Sequence, residues 1–302
     1  MSDGRDVPDW AGNGAHVARA MPGSLYVVAT PLGNARDLTL RALDILRSVD
    51  VVAAEDTRTS APLLARHGIA ARLLSLHQHN EARRSDAVIA ALTEGKSVAL
   101  VSDAGTPAIS DPGARLVRAV RDAGHSVVPV PGASAVTAAL SAAGLVAERF
   151  VFLGFLPNQA KARRMLLSAV GMLPMALVVY EAPHRVRATV AALAEALGGD
   201  RALIVARELT KMFETIARVP LADAVAWVDA DANRQRGEFV LIVDAPGARE
   251  SVGEITADVD QWLVALLSEL PPARAARVAA AASGVARETL YARALALKPE
   301  AK

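Results

Sequence analysis

The residues able to do chemistry in this chain fall in short polar clusters. They are Glu55-Asp56-Thr57-Arg58, His77-Gln78-His79-Asn80-Glu81, the run from Ser102 to Gly113, Glu181-Ala182-Pro183-His184-Arg185 and Arg207-Glu208-Leu209-Thr210-Lys211. Together they offer Asp56, His77, Glu81, Asp103, Asp111, Glu181 and Glu208 as proton acceptors or hydrogen-bond acceptors, and Arg58, Asn80, Arg185 and Lys211 as donors. No cysteine is present, which excludes disulfides, thiolate metal sites and cysteine nucleophiles. No HExxH or HxxxH spacing appears, so no metal site is expected. A GxGxxG fingerprint after the first strand, a Walker loop and a GxSxG elbow are also absent. Ser102, Ser134, His77 and Asp111 are triad-type residues, but nothing in their spacing selects them.

The elements around the clusters explain why they matter. Val98–Val101 is an apolar run of the buried-strand kind, and residues 114–123 read as a helix. The polar stretch between them exceeds the usual ~2–6 residues of a strand-to-helix loop. The same strand, cluster, helix order recurs. Strands are expected at 25–29, 50–54, 72–76, 98–101 and 126–130, and helices at 38–48, 61–67, 84–94 and 114–123. Asp37 and Thr39 are candidate caps for the first helix. Regular alternation predicts a mainly parallel sheet with helices on both faces. Its strand ends lie along one edge, so residues 30–34, 55–59, 77–81 and 102–113 should converge there.

Pro131-Gly132-Ala133-Ser134 reads as a hinge leading into a helix over 135–143. Strands at 150–153, 176–180, 202–206 and 237–243, with helices at 158–170 and 186–197, predict a second α/β domain with a mixed sheet. Residues 246–253 read as a linker. Beyond it come a helix over 256–269 with Val259, Trp262, Leu263, Leu266 and Leu267 on one face, a break at Pro271-Pro272, and a helix-turn-helix-like pair over 273–282 and 286–297. The expected domains are thus a disordered tail (1–22), an N-terminal α/β domain (23–133), a C-terminal α/β domain (134–247) and a helical appendage (254–302).

At 302 residues, 52% hydrophobic and net charge +1, the chain has the composition of a globular enzyme and no overall attraction to nucleic acid. Most of its basic residues are arginine, the planar donor suited to phosphate. No window resembles a membrane span or a secretory signal, so a cytoplasmic location is expected.

Several motifs together resemble one family. Thr30-Pro-Leu-Gly-Asn34, Glu55-Asp-Thr-Arg58, Ser102 through Gly113, Pro131-Gly-Ala-Ser134, Gly154-Phe-Leu-Pro157, Glu181-Ala-Pro-His-Arg185, Arg207-Glu-Leu-Thr-Lys211 and Gly237-Glu-Phe239 are similar to the RsmI-type ribosomal RNA small-subunit methyltransferases of the tetrapyrrole methylase superfamily. Gly105-Thr106-Pro107, where other branches carry Gly-Asp-Pro, suits the RNA-modifying branch. The resemblance implies two α/β domains with S-adenosylmethionine in the cleft between them, and a homodimer. It implies 2′-O-methylation of a cytidine in 16S ribosomal RNA, cytidine 1402 in the family's naming. Cofactor contacts carry over to Pro31, Ala104, Gly105, Thr106, Ile109, Ser134, Ala135, Glu181, Glu208 and Leu209. A ribose hydroxyl is a poor nucleophile, so a base should assist; Asp56, His77, Glu81 and Asp103 are the candidates. Arg58, Asn80, Arg185 and Lys211 are the candidate RNA contacts. A tetrapyrrole C-methyltransferase and a non-catalytic ribosome assembly factor are the alternatives.

Overall fold

The computed structural model describes residues 19–78, 80–145, 149–246, 255 and 257–297. The expected tail lies outside the described residues up to position 18, as does the expected linker beyond 246.

The first sheet contains β1 (Ser24–Val28), β2 (Val51–Ala54), β3 (Arg72–Ser75), β4 (Val98–Val101) and β5 (Ser126–Val130) in the order β3-β2-β4-β1-β5. Every pairing in it is parallel. β2 and β4 are buried along their whole lengths, as strands covered on both faces must be. Alternation along β1 divides the core. Tyr26 and Val28 pack with Ala42, Ile45 and Leu46 of α1 (Leu40–Ser48) and Leu64 of α2 (Thr57–Arg66). Leu25 faces the other way, toward Val88 and Leu92 of α3 (Glu81–Thr93) and Leu116 and Val120 of α4 (Ala114–Asp122).

Two helix starts differ from the expectation and change the reading of the clusters. α2 begins at Thr57 because the Asp56 carboxylate accepts the Arg58 N–H at 2.8 Å, a side-chain N-cap. α3 begins at Glu81, three residues before the expected start. Of the two candidate caps for α1, Thr39 is the one used, its hydroxyl accepting the Ala42 N–H at 3.1 Å. Asp37 instead ends a short 3₁₀ turn over Ala35–Asp37.

The second sheet is mixed. Its strands β6 (Phe150–Phe155), β7 (Ala176–Glu181), β8 (Ala202–Arg207), β9 (Thr215–Pro220) and β10 (Phe239–Val243) are ordered β6-β7-β10-β8-β9. β6 and β7 are parallel, and β10 runs antiparallel to both β7 and β8. One face packs on α5 (Ala135–Ala142) through Val136 and Ala139. The other is covered by α6 (Ala160–Val170), α7 (Val186–Leu197) and α8 (Leu221–Asp229). Strand β9 and helix α8 were not expected from the sequence. β9 is an edge strand whose every second residue is exposed, so it lacks the apolar run that marks its neighbours.

The last described segment forms α9 (Ala257–Glu269), α10 (Pro272–Ser283) and α11 (Arg287–Leu297) around their own core of Val259, Leu263, Ala275, Ala276, Ala279, Val285, Leu290 and Ala294. Pro272 sits in the first turn of α10, where its missing N–H costs nothing. Gly284, at φ 73°, supplies the left-handed cap before α11. Trp262, expected on the buried face of α9, is half exposed.

Candidate active site

The C-terminal ends of β1, β2, β4 and β5 carry loops that are tied to one another. Thr30, just past β1, and Gly105, in the loop after β4, exchange two backbone hydrogen bonds of 2.8 and 2.9 Å. The Thr30 hydroxyl also donates to the Ser102 carbonyl at 3.0 Å. Thr106 donates to the Ala133 carbonyl at 3.0 Å, fixing this loop to the segment between β5 and α5. After β2, the Asp56 N–H donates to Asp103 Oδ1 at 3.2 Å.

The loop is held in costly backbone conformations. Ala108 (φ 66°) and Ser110 (φ 70°) are left-handed without being glycine. Gly113 (φ 127°) needs its missing side chain, since a Cβ there would lie 2.7 Å from Leu100 Cδ2. The facing turn of the second domain is similar, with Glu208 at φ 52° and Thr210 at φ 65°. The two halves touch at Asn34, whose N–H donates to Thr210 Oγ1 at 3.1 Å. They also touch where the Lys211 side chain crosses Gly33 so closely that a Cβ would fall 2.2 Å from Lys211 Cγ.

Between these halves lies a cavity of about 430 Å³. Of the residues carried over as cofactor contacts, Ala104, Gly105, Thr106, Ile109, Ser134, Ala135, Glu181 and Leu209 line it. Pro31 does not; its neighbour Leu32 does. Glu208 also stays out of the lining, its carboxylate taken by Lys211 Nζ at 2.9 Å and the Glu238 N–H at 2.9 Å. Among the described residues no lysine, arginine or histidine lines the cavity, whereas Glu55, Asp103, Asp111, Glu181 and Glu238 do.

The base candidates part company here. Asp103 lines the cavity, and burial raises its carboxyl above the ordinary value. Asp56 caps α2 and pairs with Arg58 at 2.6 Å, and that guanidinium holds its carboxyl down at about 2, a poor base. His77 and Asn80 close a turn of their own: the His77 N–H donates to Asn80 Oδ1 at 2.8 Å, and Asn80 Nδ2 lies 3.0 Å from the His77 ring. Glu81 is buried, and its Oε1 accepts the N–H groups of Gly113, Arg115 and Leu116 at 3.0, 3.0 and 3.2 Å. It caps α4 from a distance, because Gly113 has no side chain to do so. His77, Asn80 and Glu81 therefore do not line the cavity, contrary to the expected convergence, and His79 lies outside the described residues.

The donor candidates are also engaged. Arg58 is exposed and paired with Asp56. Arg185 donates to the Leu156 carbonyl at 2.6 Å and lies 3.2 Å from Glu181 Oε1. Glu181 further takes the Thr189 hydroxyl at 2.5 Å and the Ala182 N–H at 2.8 Å. Lys211 bridges Glu208 and Glu238, both at 2.9 Å.

Asp111, one of the acceptor candidates, also lines the cavity, and Glu55, Phe155, Tyr180 and Glu238 complete the wall without having been singled out as site residues. The signal for Glu55, Phe155, Tyr180 and Glu238 was positional, each standing at or beside a strand end. The Asp111 carboxyl is raised to about 6, first by burial and then by the nearby Glu55 charge. Burial raises Glu55 as well. Among the described residues no group of side chains is arranged to hold a metal ion.

The chain resembles known proteins over nearly its whole length. Residues 24–225 match the model of the Tetrapyrrole (Corrin/Porphyrin) Methylases, and residues 253–298 match that of the RsmI C-terminal HTH domain. The chain is 48% identical to the Ribosomal RNA small subunit methyltransferase I of Escherichia coli O157:H7, over 90% of this chain and 95% of that one. It is 50% identical to the protein of the same name from Pseudomonas aeruginosa, over 90% and 97%. Among solved structures, the methyltransferase CobJ superposes with a TM-score of 0.57 at 21% identity, covering 75% of this chain and 96% of that one. The uroporphyrin-III C-methyltransferase of Thermus thermophilus, complexed with S-adenosylhomocysteine, gives 0.53 at 20%, covering 73% and 97%. These two likenesses concern the fold alone. Sequence, fold and the appended helices agree: the chain belongs to the ribosomal RNA small subunit methyltransferase I family, a branch of the tetrapyrrole methylases.

Proposed function

We propose that the chain transfers a methyl group from S-adenosylmethionine to the 2′-hydroxyl of a cytidine ribose in 16S ribosomal RNA, cytidine 1402 in the family's naming. The observation that carries the cofactor assignment is the charge of the cavity, five carboxylates and no cationic side chain. S-adenosylmethionine carries a sulfonium and an ammonium against one carboxylate, so it is a net cation and suits such a wall. A phosphate-bearing dinucleotide would not. The apolar patches from Leu32, Ala104, Ala135, Leu209 and Val240 suit an adenosyl group, and the volume of about 430 Å³ lies in the range of small-molecule sites. When bound, the cofactor supplies an electrophilic methyl on positively charged sulfur.

The protein's part is to hold donor and acceptor at near-attack distance and to exclude water. The strained loop 104–110 and the turn 208–210 present backbone groups to the cofactor without side-chain bulk, and Ser134 with Ala135 opens α5 toward it. Phosphates of the RNA would be held outside this acidic cavity. Arg58, nearly nine-tenths exposed, is a suitable contact there. Arg185 would act on RNA indirectly, by holding Glu181 of the cavity wall. The RNA identity rests on the relatives' names and the helical appendage. A cytoplasmic site of action follows from that substrate, and no described helix is long and apolar enough to cross a membrane. We take the chain to act as a homodimer: Met212 (90% exposed) and Phe213 (67%) stand beside edge strand β9, an apolar surface that a second copy would cover.

The test is methyl transfer from labelled S-adenosylmethionine to small ribosomal subunits from cells lacking the gene, followed by nucleoside analysis. The reading predicts 2′-O-methylcytidine. Label in a base, or label accepted by a porphyrinoid and not by RNA, contradicts it; cofactor binding without transfer to any acceptor favours an assembly factor.

A further inference from the structure

Two loops from different domains cross beside the cavity. One is the loop after β1, whose Leu32 lines it; the other is the turn between β8 and β9, whose Leu209 lines it from the second domain. The crossing is made by Lys211. Its stem lies over Gly33, where a Cβ would fall 2.2 Å from Lys211 Cγ and 3.2 Å from Cδ and Cε. Its ammonium stands 2.9 Å from Glu208 Oε1 and 2.9 Å from Glu238 Oε2. Both ion pairs lie inside the second domain, and they fix the stem across Gly33 of the first. Glu208 needs a glycine in its turn, since a Cβ on Gly237, at φ 88°, would fall 2.4 Å from Glu208 Cγ. Only residues without side chains admit such close approach, so Gly33 and Gly237 make room for the two stems. Beside them the Asn34 N–H donates to Thr210 Oγ1 at 3.1 Å.

Lys211 does not line the cavity, but the groups it holds do. Glu238 is part of the wall, and Leu32 packs in the same apolar cluster as Leu209 and Val240. The turn keeps its own shape without help from the first domain. The Thr210 N–H donates to Glu214 Oε2 at 2.6 Å, the Lys211 N–H to the Glu208 carbonyl at 3.0 Å, and Arg207 Nη2 to the Phe213 carbonyl at 3.1 Å. A turn braced in this way moves as one piece about its strand ends. The bonds that pin the crossing are partly exposed, with the Lys211 side chain 30% accessible and that of Glu238 75%. Ion pairs in such a setting are weak, so the crossing can open.

We propose that Lys211 is a positioning residue of the cofactor site, and that its crossing over Gly33, together with the Asn34–Thr210 hydrogen bond, is the clasp through which S-adenosylmethionine enters and S-adenosylhomocysteine leaves. Closed, the clasp sets the spacing of Leu32 and Leu209 and holds the Glu238 carboxylate in the wall. Open, it frees the turn 208–211 from the loop 32–34 and gives the ligand a passage. Lys211 then serves the cofactor and not an RNA phosphate. This inference rests on the cofactor reading of the cavity given above.

The experiment measures association and dissociation of S-adenosylhomocysteine by surface plasmon resonance on immobilised wild type, Lys211→Met, Lys211→Arg and Thr210→Val, at low and high salt. This ligand is a thioether with no net charge, so salt acts chiefly on the ion pairs of the clasp. Lys211→Met keeps the stem and loses the charge. Its koff should rise ~10-fold, the shift that two partly exposed charge pairs can hold. Its kon should rise as well, so that Kd changes less than either rate constant. Lys211→Arg keeps the charge and should bring both rates back to within about threefold of wild type. Thr210→Val loses one hydrogen bond and should raise both rates by a smaller factor. High salt should speed release from wild type more than from Lys211→Met. A koff in Lys211→Met within about twofold of wild type overturns the proposal. So does a raised koff with kon unchanged, which would make Lys211 a support of the wall and no part of a passage. A wild-type protein that binds neither S-adenosylmethionine nor S-adenosylhomocysteine refutes the cofactor reading itself, and that result needs no variant.

Discussion

Glu81 offers a decisive perturbation because its sequence and its structure point to different roles. By type and neighbourhood it is a candidate base; in the fold it sits in the first turn of α3 with Oε1 accepting three N–H groups at the start of α4. Helix α4 has no cap of its own, and it carries the fully buried Leu116 and Val120 into the core beneath the sheet. It also anchors the end of the loop that lines the cavity. A hydrogen bond to a charged acceptor contributes roughly 1.5–3 kcal/mol net, and a buried donor left without a partner costs ~1–3 kcal/mol. The three bonds share one oxygen and are not additive, so Glu81→Ala should cost about 3–5 kcal/mol. Glu81→Gln keeps an acceptor oxygen at the same place and loses the charge, and should cost about 1–2 kcal/mol. At roughly 2–4 °C per kcal/mol for a domain of this size, Glu81→Ala should melt about 6–20 °C below wild type and Glu81→Gln several degrees below it. The assay pairs thermal melting with methyl transfer per folded molecule at a temperature where all three proteins are folded. Glu81→Gln should then retain most of the wild-type rate. A Glu81→Gln protein that melts within about 2 °C of wild type yet transfers no methyl would refute the capping role and restore Glu81 to the chemistry.

Three further outcomes are expected. A carboxyl raised in the folded state favours the protonated fold, so the Asp111 contribution is full below the ordinary value of 3.8 and is lost as the pH rises through about 6. Wild type should therefore lose stability across that window, and Asp111→Asn should melt above wild type at pH 8. Gly132 lies where a Cβ would approach Ala29 Cβ to 2.8 Å, so Gly132→Val should destabilise the junction between β5 and α5 by ~1–3 kcal/mol in urea titrations. Gly33→Ala would push Lys211 off the loop it crosses, away from Glu208 and Glu238; calorimetry should register weaker S-adenosylmethionine binding with a melting temperature close to wild type, and an unchanged affinity would show that this closure does not shape the site.

The parallel sheet was legible in the sequence because its strands are short apolar runs with no polar interruption, as in Val98-Ala-Leu-Val101, and because a helix follows nearly every one. The cavity was legible for the same reason, since parallel strands must present their loops on one edge. What was not legible follows from side-chain direction. His77, Asn80 and Glu81 follow β3, an edge strand, and their polar atoms turn inward to close a turn and to cap α4. A buried carboxylate serving backbone N–H groups has the same one-letter code as a catalytic one. Arg185 and Lys211 likewise spend their charge on Glu181, Glu208 and Glu238. Strand β9 was missed because Thr215-Ile-Ala-Arg-Val-Pro220 alternates toward solvent and packs little. Phe155 and Tyr180 had no local mark as site residues, since an aromatic near a strand end more often fills a core.

The claim on which the account turns is that the acidic cavity between the two sheets is the methyl-donor site. A crystal structure of the protein with S-adenosylhomocysteine tests it most directly. The account predicts the ligand between loop 104–109 and Leu209, near Ser134 and Ala135 and against the carboxylates of the wall. Density for the ligand outside this cavity would contradict it.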